Sequence, residues 1–117
     1  MKAIRVHEFG APETMKLETV PDLKPALGQV LVKVKAAGVN PVDAYIRAGM
    51  YRPDLPLPYT PGIDGAGIVD TIGPGVGGLH IGERVYLTWA LSGSYAEAVL
   101  CAEANVHPLP KRISLVQ

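Results

Sequence analysis

The sequence predicts a mainly β domain, a barrel or a sandwich, interrupted by one short helix. Apolar residues alternate with polar ones in several short segments, a pattern typical of half-buried strands. Turns rich in Gly, Pro, Asn and Asp separate these segments at close spacing, which favours a barrel or two packed sheets. The chain has 117 residues, 48% of them hydrophobic. This suits one compact soluble domain with its own core and excludes two domains.

The period-two pattern predicts strands in seven segments. The clearest one is segment 29–39, in which Val30, Val32 and Val34 alternate with Leu31, Lys33 and Lys35. Because side chains alternate between the two faces of a strand, we expect the three valines to face a core. The predicted strands are 3–7, 17–20, 29–39, 67–72, 84–88, 95–101 and 106–109.

One helix is predicted over residues 40–48, directly after the longest strand. Asn40 is a good N-cap residue, Pro41 suits the first helical position, and Asp43 is favourable near the positive N-terminal end. Gly49 can end the helix in the left-handed conformation. The following segment, 51–62, contains four prolines, which exclude both helix and central strand and predict a constrained loop.

The C-terminal residues carry a helix-start signal. Ser114 and Gln117 have the spacing of a capping box, in which two side chains satisfy backbone amides at the start of a helix. The sequence ends before any such helix. Taken alone, a four-residue match of this kind arises often by chance.

Composition argues against several kinds of partner and compartment. Eleven basic and eleven acidic residues balance, so the sequence indicates neither a nucleic-acid partner nor an anionic membrane surface. Cys101 is the only cysteine, which excludes an intrachain disulfide and favours a reducing compartment. The N-terminus has no apolar signal segment, and no apolar run approaches the roughly 20 residues of a membrane span. We therefore expect a cytoplasmic protein.

A glycine-rich segment at 73–78 matches the G-x-G-x-x-G pattern of dinucleotide-binding folds. A working site of this kind must open a helix, whose N-terminal amides receive the pyrophosphate. Here the residues that follow lead instead into the predicted strand at Arg84. We interpret the segment as a connection between strands, and the nearby Gly62, Gly65 and Gly67 as positions where two backbones approach closely.

The sequence shows no clear pattern of metal ligands or of a catalytic nucleophile. His7, His80 and His107 lie far apart and show no ligand-pair spacing, and Cys101 has no neighbouring cysteine or histidine. Ser92 and Ser94 lack the G-x-S-x-G elbow of a serine hydrolase. We interpret these residues as structural.

The remaining unusual group lies on or next to the helix: Asn40, Asp43, Tyr45, Arg47 and Tyr51. Asp43 and Arg47 are four residues apart, the spacing of an ion pair on one helix face. Spacing alone favours Tyr45 as a core residue and Tyr51 as a loop cover.

Two segments show a resemblance to a known family. They are AGVNPVDAYIRAGMY, from Ala37 to Tyr51, and LPYTPGIDGAG, from Leu57 to Gly67. The chain resembles the quinone oxidoreductase (zeta-crystallin-like) branch of the medium-chain dehydrogenase/reductases. The likeness extends from MKAIRV at the start through GERV and GSYAE to the LPK at residues 109–111.

The resemblance implies that residues 1–117 form a GroES-like, partly open β-barrel. It also implies a Rossmann domain that this chain lacks, with NADPH between the two domains in the full enzyme. Residues 113–117 would then begin the connection to the missing domain. The full enzyme would be a homodimer.

Departures from the zinc-dependent relatives imply a metal-free reaction. Those enzymes have a cysteine ligand at the position of Asn40 and a His-Glu pair at Ile63-Asp64. Because Asn and Ile cannot replace thiolate and imidazole at a zinc centre, the resemblance implies hydride transfer from NADPH to a quinone or another conjugated carbonyl without a metal.

The resemblance also implies the site residues. Asn40, Tyr45 and Tyr51 are the expected catalytic residues, with Asn40 and Tyr45 also touching the cofactor, and Val42 adds to the substrate wall. Asp43 and Arg47 are expected to be structural. Two alternatives stay open: an enoyl-thioester reductase with a tyrosine near the position of Tyr51 as proton donor, and a free-standing, non-catalytic GroES-like binding module.

Overall fold

The computed structural model describes residues 1–116, and its secondary structure is mostly strand, with a single α-helix in that range. No helix within it is both long enough and apolar enough to cross a bilayer. Every predicted element is present, with bounds shifted by up to three residues. The elements are β1 (Lys2–Val6), β2 (Met15–Thr19), β3 (Gln29–Ala37), α1 (Pro41–Arg47), β4 (Gly65–Ile72), β5 (Arg84–Leu87), β6 (Ala98–Ala102) and β7 (Val106–Pro108).

The strands form two antiparallel sheets that do not close on each other. One contains β1 and β2, and the other has the order β6-β3-β4-β5-β7. Isolated bridges join β1 to the rest of the fold, pairing Ala3 with Ala96 and Val6 with Tyr59. The predicted mainly β, partly open architecture with one short helix is therefore confirmed.

Strand β3 is the centre of the larger sheet, between β4 and β6. Val30 and Val32 are fully buried and Val34 packs partly against the same core, as the alternation predicts. Leu31, on the other face, is also buried, and the β3–β4 register shifts between Leu31 and Val32. The other buried members of this core are Val69, Leu79, Val85, Leu87, Val99, Cys101 and Val106.

The strand predicted for 95–101 starts later, at Ala98. Tyr95 donates its backbone N–H to the Pro61 carbonyl at 3.0 Å, and Glu97 donates its own to the Lys2 carbonyl at 3.0 Å. These two residues therefore bond to separate parts of the fold, and Glu97 also accepts the N–H of Val34 in β3 at 2.8 Å.

The glycine-rich segment 73–78 connects β4 to β5, as predicted, and no helix follows it. The backbone N–H groups of Gly77 and Gly78 donate to the Glu103 carboxylate at 3.3 and 3.0 Å. Amides of the kind that hold a phosphate in a dinucleotide site are thus occupied by an acidic side chain of the same chain.

Arg84 holds the segment that leaves the last strand. Its guanidinium donates to the backbone carbonyls of Lys111, at 3.3 Å, and Ile113. Of the predicted capping box, Ser114 lies in this region and Gln117 lies outside the described residues.

Candidate active site

A cavity of about 670 Å³, called the main cavity below, lies beside helix α1. Its walls come from helix α1, the proline-rich loop at 51–63 and the segment 89–93 that follows β5. Most of the lining is apolar, with Arg5 and Arg52 adding positive charge and Asp43 adding negative charge. Arg5 is engaged, because its guanidinium donates to Thr60 Oγ1 at 3.2 Å and to the Pro58 carbonyl at 3.4 Å.

Two of the four predicted site residues, Val42 and Tyr51, line this cavity. Tyr51 is 63% exposed, and Tyr45, 52% exposed, is not a core residue. The interpretation of Tyr45 from spacing alone is therefore wrong. Tyr45 and Asn40 lie outside the cavity lining, so the cavity brings together only half of the predicted site.

Asn40 caps helix α1, as predicted, and its carboxamide is held by a second element. The Nδ2 group donates to Asp64 Oδ2 at 3.2 Å, and the side chain is partly exposed. Asp64 lies immediately before β4 and packs against Gly38, where a Cβ atom would overlap its carboxylate. One N–H of the Asn40 amide is thus committed to Asp64, and the other is available to a ligand.

Asp43 is buried and is the centre of a small polar network. Its Oδ2 accepts the backbone N–H of Asn40 at 2.9 Å and the hydroxyl of Tyr95 at 3.2 Å. Arg47 does not pair with it; Arg47 Nε donates to the Gly10 carbonyl at 3.2 Å. The predicted Asp43–Arg47 ion pair is therefore wrong, because the carboxylate faces inward to cap its own helix.

Burial raises the pKa values of Tyr59 and Tyr95, the two tyrosines near Asp43. Desolvation, aided by the charge of Asp43 and its hydrogen bond, raises the pKa of Tyr95 to about 12, so its hydroxyl remains a donor. Burial also raises the pKa of Tyr59, an effect that Arg47 opposes and Asp43 reinforces. Asp43 Oδ1 and the Tyr59 hydroxyl are both buried without a hydrogen-bond partner in the described residues.

We predict that Tyr59→Phe raises the free energy of unfolding by about 1 kcal/mol, because it removes a buried hydroxyl that makes no hydrogen bond. Tyr95→Phe is the matched control. It removes a hydroxyl that donates to a buried carboxylate, so stability should fall by about 1 to 3 kcal/mol. Urea denaturation of both variants measures the two effects. A loss of stability in Tyr59→Phe would mean that its hydroxyl has a partner in solution.

Glycines allow the loop at 61–63 to meet the segment at 93–95. Gly62 has φ of 108°, and a Cβ atom there would overlap Ser94 Oγ and come within 2.7 Å of the Ser94 backbone nitrogen. A Cβ at Gly67 would overlap the carbonyl oxygen of Lys33 on the neighbouring strand. The predicted close approach of backbones at these glycines is confirmed.

Trp89 is one of the cavity residues that sequence reasoning missed. It lines the cavity, is 67% exposed and has φ of 55°. Tyr59, also in the lining, was missed as well.

Metal-ligating and nucleophilic side chains are scattered in residues 1–116, where no three His, Cys, Asp or Glu side chains gather as a metal site. His7 pairs with Glu18 at 2.6 Å. Cys101 is fully buried, with Sγ 3.3 Å from the Thr88 carbonyl. Burial raises the pKa of its thiol to about 11, so the reactive thiolate form is scarce.

The chain is similar to quinone oxidoreductases over its whole length. The quinone oxidoreductase of Rattus norvegicus is 48% identical over 120 residues, which cover 100% of this chain and 36% of the relative. The Homo sapiens quinone oxidoreductase is 45% identical with the same coverage. This chain therefore spans about a third of the length of these relatives.

Solved structures give the same result. The Escherichia coli quinone oxidoreductase, crystallised as a complex with NADPH, superposes with a TM-score of 0.93 at 33% identity, covering 98% of this chain and 35% of that one. These similarities confirm the resemblance noted from the sequence. Residues 26–111 match the alcohol dehydrogenase GroES-like domain family. The chain therefore belongs to that family.

Proposed function

We propose that this chain is the substrate-side domain of an NADPH-dependent quinone oxidoreductase that works without a metal. The observation that carries the proposal is the apolar cavity of about 670 Å³ with the exposed Tyr51 in its wall. A flat conjugated carbonyl suits such a cavity, because apolar walls hold the ring while a few polar groups orient it. The names of the relatives and of the NADPH complex support the same reaction class.

Tyr51 and Val42 act on the acceptor in this proposal. The Tyr51 hydroxyl makes no hydrogen bond to another described residue, so it is available to donate to the carbonyl oxygen of an acceptor. That oxygen gains negative charge as the ring is reduced, and a donor already in place stabilises it. Val42 contributes apolar wall on the helix side.

Asn40 and Tyr45 are the proposed contacts to the cofactor. The free N–H of Asn40 and the exposed hydroxyl of Tyr45 match a nicotinamide carboxamide, which both donates and accepts hydrogen bonds. NADPH, when bound, supplies the hydride. Asp64 keeps the Asn40 amide in one orientation through the 3.2 Å hydrogen bond. Asp43 fixes the start of helix α1, which Asn40 caps and which carries Tyr45.

The ligand chemistry of the chain supports a reaction without zinc. Asn40 and Ile63 stand where the zinc-dependent relatives have cysteine and histidine, and neither an amide nor an aliphatic side chain binds zinc well. The reaction then depends on positioning and on hydrogen-bond donors aimed at the acceptor oxygen.

We also propose a cytoplasmic enzyme that acts as a homodimer in its full-length form. The single cysteine supports a reducing compartment. Eleven basic residues balanced by eleven acidic ones support a small-molecule substrate in preference to nucleic acid or a membrane surface.

We predict that the chain alone binds NADPH with a dissociation constant weaker than about 100 μM and reduces no quinone. Joining it to a related cofactor domain should restore both activities. The weak binding is expected because Gly77 and Gly78 already bond Glu103. Calorimetric titration measures binding, and NADPH oxidation with 1,4-benzoquinone measures turnover.

The joined enzyme also tests the metal-free mechanism. It should contain less than one tenth of an equivalent of zinc by elemental analysis and keep its activity after dialysis against a chelator. The function is refuted if the joined enzyme binds NADPH and still fails to reduce 1,4-benzoquinone. Micromolar NADPH binding by the chain alone would refute our interpretation of the glycine-rich segment.

A further inference from the structure

Trp89 is held in an unfavourable state in two respects. It is the only tryptophan of the chain, yet 67% of it is exposed to solvent. It is also the one residue other than glycine with a positive φ, 55°, in the described residues 1–116. Exposing a large aromatic ring and placing a bulky residue in the left-handed region both cost free energy.

The backbone around Trp89 is fixed on both sides. Thr88 donates its N–H to the Asn105 carbonyl at 3.1 Å, and Ala90 donates its own to the Ile63 carbonyl at 2.8 Å. These contacts impose the left-handed turn between them. Glycine would adopt that turn without strain, so the presence of tryptophan calls for a role for its side chain.

The side chain belongs to the wall of the main cavity. Tyr51 and Leu91, which are 63% and 57% exposed, line the same cavity. The indole N–H makes no hydrogen bond to the described residues, so the ring contributes chiefly an aromatic surface. Aromatic faces of this kind stack on flat ring systems with little demand on their substituents.

We propose that Trp89 is a specificity-determining residue that stacks on the acceptor and favours fused-ring, flat quinones over single-ring ones. The inference rests on the proposed function, because it names the acceptor class of the same cavity. A fused bicyclic ring offers more aromatic area to the indole than a single ring of the same total size. The strained backbone and the exposed ring of Trp89 then keep the face of the indole accessible to the acceptor.

Two quinones of similar size test the proposal on the purified chain, without cofactor or turnover. One is 2,3-dimethyl-1,4-naphthoquinone and the other is tetramethyl-1,4-benzoquinone; both are fully substituted on the quinone ring, which blocks addition of thiols and amines. NMR titration follows the backbone amides of Gly62 and Gly93 in the cavity wall. The naphthoquinone should bind about tenfold more tightly.

The variants separate stacking from general apolar contact. Trp89→Gly should bring the ratio of the two affinities close to one while the thermal midpoint stays equal or rises, and Trp89→Phe should keep most of the preference. Leu91→Ala, which removes exposed apolar area without a ring, should weaken both ligands and leave the ratio unchanged.

Three results would overturn the proposal: a preference that survives in Trp89→Gly, a preference that Leu91→Ala abolishes equally, or no detectable naphthoquinone binding by the original chain. None of them bears on NADPH-dependent reduction of 1,4-benzoquinone by the joined enzyme. A failure here is therefore distinct from a failure of the proposed function.

Discussion

Replacing Gly62 with alanine will lower the free energy of unfolding by about 3 kcal/mol or more. Two costs add at this position. The backbone has φ of 108°, which costs an alanine about 1 to 2 kcal/mol, and the new Cβ atom would overlap Ser94 Oγ. Relief requires the loop to move away from the segment at 94–95, whose Tyr95 N–H donates to the Pro61 carbonyl at 3.0 Å. Overpacking of this kind costs about 1 to 3 kcal/mol more.

Two other glycines provide matched controls for this effect. Gly82 has φ of 89° and nothing within 4 Å of a Cβ atom, and Gly77 has neither a positive φ nor a neighbour in that range. Gly82→Ala should therefore show the conformational cost alone, and Gly77→Ala should be close to neutral. Urea denaturation of the three variants gives the comparison. Equal effects at Gly62 and Gly82 would show that the overlap with Ser94 is relieved without cost.

Substituting Tyr45 or Tyr51 will have the largest effect on catalysis. In an enzyme made by joining this chain to a related cofactor domain, Tyr45→Phe or Tyr51→Phe removes one hydrogen bond while keeping the ring. We expect a loss of about 1 to 3 kcal/mol of transition-state stabilisation, which is roughly a tenfold to hundredfold fall in kcat/KM. Tyr51→Ala should cost more, because the cavity loses part of its wall as well.

Kinetics on two acceptors distinguish a quinone reductase from an enoyl-thioester reductase. If Tyr51 were an obligatory proton donor, Tyr51→Phe would nearly abolish turnover of a short enoyl thioester. If it only orients the acceptor, the loss on 1,4-benzoquinone stays within the predicted range. Tyr86→Phe, on strand β5 outside the main cavity, is a suitable control. Full activity of both tyrosine variants on each acceptor would remove these residues from the site.

The fold was predictable because its signals are local. Alternating valines in β3, the Asn40-Pro41 start of α1 and the prolines after it each specify their own structure within a few residues. The burial of Leu31 was not predictable in this way, because it depends on which residues cover the second face of the sheet. The late start of β6 has the same cause: Tyr95 and Glu97 bond to Pro61 and Lys2, which are distant in sequence.

The site was predictable only in part, because its residues meet through the tertiary fold. The resemblance to quinone oxidoreductases supplied Tyr51 and Val42, which line the cavity. Spacing on the helix suggested an Asp43–Arg47 pair, but Asp43 turns inward to Asn40 and Tyr95. Nothing in the sequence near Trp89 indicates a left-handed turn, since the hydrogen bonds that impose it come from Ile63 and Asn105.

The contact between Glu103 and the amides of Gly77 and Gly78 has a consequence for anion binding at this loop. A carboxylate tethered to the chain is present at a high effective concentration, so free phosphate groups compete with it poorly. The two amides are therefore not free to bind another anion. In the two-domain reductase proposed above, the pyrophosphate of NADPH would find no competing site at this loop of the substrate-side domain.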